Sequence, residues 1–193
     1  MGGRSNSESL TSGTNHPSGV MTYFSVENPD DKEIILSYVT KQGDTIKSFT
    51  TKESKEKNNK LEVEKGSNVH SWDMRGKGAE KLEGMILWWA STAAPMAVPG
   101  EYEVVLTVDD ESYSKPFNIL PDGNSETDLA GMQRQFDFIT DINNTVDKAH
   151  KSIKKIRKIN SQLEAFQKQY QEDEGTKELV EKAKTLSESF SEI

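Results

Sequence analysis

The apolar and polar positions of this chain change period once, near Asn124. Before that point, short apolar runs alternate with turn-forming clusters. Residues 20–26, 33–39, 45–49, 61–65, 69–72, 84–90, 101–108 and 113–120 are rich in branched and aromatic side chains, which suit a pleated, half-buried surface. Asn28-Pro29-Asp30-Asp31, Gln42-Gly43-Asp44, Pro99-Gly100 and Asp109-Asp110-Glu111 separate them as turns. The run Gly84-Met85-Ile86-Leu87-Trp88-Trp89-Ala90 is apolar throughout and predicts an inner strand covered on both faces. Some seven short strands in about a hundred residues predict an immunoglobulin-like β-sandwich over 20–120, with Trp72, Ile86, Trp88, Tyr102, Val104 and Leu106 in its core.

After the linker 121–126 the spacing of apolar residues becomes 3 or 4. Leu129, Met132, Phe136, Ile139, Ile142 and Val146 begin a stripe that runs on to Tyr170. Its mean step of about 3.4 is close to the left-handed coiled-coil period. The stripe predicts a helix over about 127–171, with Ser125 or Thr127 as the cap and Asp128 in the first turn. Asp173-Glu174-Gly175-Thr176 predicts a turn. Leu179, Ala183, Leu186 and Phe190 then predict a second helix over about 176–192, returning antiparallel. The fold expected is a sandwich followed by an antiparallel α-helical hairpin, or coiled coil. The second helix is too short to cover the first, so Leu129 to Ile153 is expected to await a partner protein or a missing chain segment. The hairpin at 127–193 thus reads as truncated.

Composition narrows the functional classes. The formal net charge is −8, with residues 125–193 contributing −2 and the remainder −6. Neither part is basic, so a nucleic-acid footprint is not expected. The 193 residues include no cysteine, which excludes disulfides, thiolate catalysis and Cys-based zinc sites. No apolar run approaches the roughly 20 residues of a membrane span. Residues 1–19 lack the apolar core of a signal peptide and read as a disordered leader.

Chemistry-bearing clusters are few. His16, His70 and His150 are scattered, and no metal or cofactor is expected. His150 falls near the helix stripe and reads as a seam residue. Asp109-Asp110-Glu111 lacks the spaced oxygen ligands of a calcium loop and reads as a plain hairpin turn. Lys148, Lys151, Lys154, Lys155, Arg157 and Lys158 form a basic stretch without acids, read as a solvated helix face. Trp89 and Tyr113 are the candidates for stacking on a glycan, which requires their rings to be exposed together. The lysine-rich segment 52–60 reads as a solvated loop whose role is unassigned.

The order Val69-His70-Ser71-Trp72-Asp73-Met74-Arg75-Gly76, then Gly84-Met85, then Val98-Pro99-Gly100-Glu101-Tyr102-Glu103-Val104, then Lys115-Pro116-Phe117 resembles the domain after the β-propeller in bacterial sortilin-like proteins. Those proteins are often labelled glycosyl hydrolases after their Asp-box repeats. The sandwich pattern also resembles the immunoglobulin-like domain of flagellar hook-capping proteins. The helix containing Asp128-Leu129, Gln135-Phe136-Asp137, Ala149-His150 and Ile156-Arg157 is similar to the one following the sandwich in the sortilin-like family.

This resemblance covers roughly residues 19–193. It implies structural roles for Trp72, Asp73, Arg75, Gly84, Pro99, Gly100 and Tyr102, and an upstream propeller in the same chain. It further implies an extracytoplasmic location and a non-catalytic role as spacer or docking surface. A glycan-binding module and an assembly subunit, with homodimers, are the alternatives. The propeller itself is missing here, so no activity seated in it carries over.

Overall fold

The computed structural model describes residues 18–53, 59–88 and 90–191. All but the last two residues of the leader expected at 1–19, and most of the lysine-rich segment expected as a loop, lie outside them. The chain divides into two compact units, Met1–Gly76 with Met96–Asn124, and Lys77–Pro95 with Ser125–Ile193.

Among the described residues, the first unit holds six strands in two antiparallel sheets. Strands β1 (Val20–Val26) and β4 (Gly66–Trp72) form one; β2 (Ile34–Thr40), β3 (Thr45–Thr50), β5 (Gly100–Val108) and β6 (Glu111–Ile119) form the other, in the order β3-β2-β5-β6. Period-2 patterning sets the register: Ile34, Leu36 and Tyr38 of β2 point to one face and are fully buried. Both sheets contribute to one core, with Val26 and Trp72 from one and Phe49 and Ile119 from the other. Pro116 cannot donate a ladder hydrogen bond, and it sits on edge strand β6, where that loss is tolerated.

Two motifs singled out in the sequence are turns built around aromatic anchors. Trp72 is fully buried, and its indole N–H donates to the Arg75 carbonyl at 2.9 Å. The Asp73 carboxylate accepts the Arg75 amide at 3.1 Å, closing a turn in which Met74 holds a φ of 59°. In the second motif, the Tyr102 hydroxyl reaches back over Pro99-Gly100 to the Val98 carbonyl at 2.5 Å. The Asp109-Asp110 turn is likewise structural: Asp109 accepts the Glu33 amide at 3.2 Å and returns its own amide to the Glu33 carbonyl at 2.9 Å.

The second unit holds a long helix, α1 (Leu129–Tyr170), a short 3-10 turn (Glu174–Thr176) and a short helix, α2 (Lys177–Ser191), which contacts α1. The cap of α1 is Asp128, whose carboxylate accepts the Gly131 amide at 2.7 Å. Ser125 and Thr127, expected as caps, lie before it.

Several expectations are overturned. The described part of 84–90 contains no strand, and 61–65 contains none either. The sandwich assigned to 20–120 is interrupted, because 77–95 belongs to the second unit. Ile86 and Trp88, expected in the core, are 77% and 87% exposed. An all-apolar run is ambiguous between a strand buried on both faces and an exposed loop, and pattern alone cannot separate the two. Gly84, given a sandwich role, has a φ of 75° in a turn where an added Cβ would meet nothing.

Candidate functional site

The segment 77–95 forms a two-legged strap on α1. Its legs join where the Ala79 amide donates to the Thr92 carbonyl at 2.8 Å. Gly78 permits that approach, since a Cβ there would lie 2.1 Å from the Thr92 oxygen.

Four residues of α1 hold the strap at helical spacing. Asn143, buried, donates its side-chain amide to the Ala93 carbonyl at 2.9 Å. Asp147 accepts the Glu80 amide at 3.1 Å. His150, also buried, bonds through Nδ1 to the Glu80 carbonyl, and Lys154 pairs with the Glu80 carboxylate. A second cation, Lys151, pairs with Asp147 at 2.5 Å. The hydrogen bond from Lys151 first, and that from the Glu80 amide second, hold the Asp147 carboxyl below its ordinary pKa.

Between the legs the chain turns twice, with the Met85 amide donating to the Leu82 carbonyl at 3.3 Å and the Ala90 amide to that of Leu87 at 2.7 Å. This tip displays Ile86 and Trp88 to solvent, and Trp88 holds a φ of 43°, unfavourable for a bulky side chain. Trp89, a glycan candidate, lies outside the described residues. Tyr113, the other candidate, is exposed on β6, and its hydroxyl donates to Glu111 at 2.8 Å. That bond raises the phenol's pKa above its ordinary value.

The helix-face candidates divide. Leu129 and Ile142 are exposed, while Met132, Phe136, Ile139 and Val146 are half-buried. Beside the face from Leu129 to Ile153, expected to await a partner, the strap holds Asn143, Asp147 and His150. His150 is therefore an anchor for the strap. Sequence reasoning missed the strap entirely, because its anchors are polar and its legs are short Ala, Thr and Gly stretches. It also missed Phe138, which is 66% exposed and lies one helical turn before Ile142.

Among the described residues no group of three or more His, Cys, Asp or Glu could hold a metal ion. The hollow on α2, lined by Glu181, Lys182 and Leu186 among others, is a shallow face of one helix. No described helix is long and apolar enough to cross a membrane. No family model, no curated protein and no solved structure matches the chain.

Proposed function

We propose that this chain is a non-catalytic interaction module: an immunoglobulin-like sandwich followed by an antiparallel helical hairpin, set after a sortilin-like β-propeller in an extracytoplasmic protein. Its role is that of a spacer and docking surface. The observation that carries the reading is the loop tip. Ile86 and Trp88 stand in water on a strap whose base is fixed to α1 by Asn143, Asp147, His150 and Lys154. An exposed Trp-Ile pair on an anchored base is the composition of an interface hot spot. Exposing both side chains forgoes about 1.5–3 kcal/mol each of burial free energy, which a partner recovers.

The coding sequence upstream of the chain supplies the test. Propeller repeats found there, produced as a separate domain, bind this chain, and Trp88→Ser weakens binding at least about tenfold. Absence of such repeats, or equal binding by the variant, defeats the reading.

A further inference from the structure

The uncovered part of α1 is self-complementary. Phe138, Ile142, Thr145 and Ala149 follow one another at steps of 4, 3 and 4, a coiled-coil seam, and all four are exposed. The strap lies to one side of this seam. The fifteen residues of α2, at about 1.5 Å each, reach back roughly 22 Å along α1, to the neighbourhood of Ile156. The four seam residues, 138 to 149, span roughly 16 Å along α1, short of the part that α2 reaches.

We infer that a second copy of this chain covers it, with its α1 running antiparallel and the two-fold axis between Asn143 and Asn144. The inference rests on the docking-module reading in treating the seam as a contact surface, and names the occupant. In this register each large residue meets a small one. Phe138 packs over Ala149 of the second copy, and Ile142 over Thr145, each pair occurring twice by symmetry. On one flank Asp141 faces Lys148 of the second copy. On the other flank Ile139 faces Val146. The basic stretch 148–158 of one copy then lies beside 129–139 of the other, which carries Asp137 and Arg134 and so sets no second basic stretch against it, with Asp128 and Asp141 just beyond its ends. A parallel arrangement instead stacks Phe138 on Phe138, leaves a gap at Ala149, and sets the two basic stretches side by side.

Because the chain has no cysteine, the register is directly testable by disulfide trapping in the full chain. Phe138→Cys and Ala149→Cys chains, carrying different tags, are mixed and oxidised. The mixture forms the 138–149 cross-link at least about tenfold faster than either variant links to itself, since like positions sit roughly 16 Å apart along the axis. Asp141→Lys and Lys148→Asp each weaken the dimer seen by sedimentation, and the double variant restores it.

Faster self-linking at 138 overturns the antiparallel pairing. A chain that stays monomeric over about two decades of concentration overturns the dimer altogether, leaving the seam to another protein. Circular dichroism establishes that each variant is folded. Trp88→Ser leaves the dimer intact, so loss of propeller binding and loss of dimerisation are separate results.

Discussion

Tyr38 stacks on Trp72 with ring centroids 4.4 Å apart and planes inclined by 20°. The pair joins the two sheets, since Tyr38 belongs to β2 and Trp72 ends β4. Both polar ends are satisfied: the Tyr38 hydroxyl bonds to Thr22 Oγ1 at 2.8 Å, and the Trp72 indole to Arg75. Trp72→Ala removes the largest fully buried side chain and is expected to cost about 3–5 kcal/mol. Thr22→Val strands the Tyr38 hydroxyl and costs about 1–3 kcal/mol. Urea denaturation followed by circular dichroism measures both; a Trp72→Ala loss below that of Thr22→Val means that the stack does not hold the sheets together.

His70 gives the fold a pH dependence. Its ring packs 4.2 Å from Phe49, its Nε2 is buried with no hydrogen-bond partner, and burial lowers its pKa below the ordinary 6.5. The folded state therefore binds a proton less readily than the unfolded chain. The associated stability is present above pH 6.5 and is lost as pH falls through the lowered value. His70→Phe removes that slope. Melting temperatures taken between about pH 7 and 5 show it, and a slope unchanged in His70→Phe assigns the effect to other groups.

The fold was partly legible in the sequence, and the reason differs by element. Five of the six strands carry alternating or branched apolar runs, and the α1 stripe holds its period from Leu129 to Tyr170. Trp72, Asp73 and Tyr102 stand in local turns closed by contacts within four residues, which is why such motifs can be read from a short stretch of sequence. The strap failed because its position depends on hydrogen bonds across 50 to 74 residues, from Asn143 to Ala93 and from Lys154 to Glu80. The 84–90 run failed because its hydrophobicity is spent on an exposed tip, a place that the rule of buried apolar residues does not anticipate.

Asn143 is the buried anchor of the strap's second leg. Asn143→Leu leaves the Ala93 carbonyl without its donor, at a cost of about 1–3 kcal/mol. The loss is local, so the Ala79 amide exchanges faster while the amides of β2 and β5 keep their protection. Uniformly faster exchange in both units shows that the strap is not a separate cooperative element. Asp147 adds an acid limit: its lowered pKa means that its hold on Glu80 is complete above 3.8 and fades as pH falls through the lower folded value.

Gly78 and Ile86 separate what the strap's base and its tip do. At Gly78 a Cβ would collide with the Thr92 carbonyl, so Gly78→Ala forces the two legs apart and strains the hydrogen bond between Ala79 and Thr92. At Ile86 the side chain is mostly in water, so Ile86→Ser changes stability by no more than about 0.5 kcal/mol. The two variants therefore differ in opposite ways. Gly78→Ala speeds proteolytic cleavage within 77–95, because an unfastened strap opens more often. Ile86→Ser leaves cleavage unchanged but lowers the binding of an apolar dye such as ANS, since it removes exposed hydrocarbon and no internal contact. Equal cleavage of Gly78→Ala and the parent chain shows that the legs are not held together at Ala79. A marked loss of stability in Ile86→Ser shows that the tip packs against its own chain, which removes the basis for reading it as a docking surface.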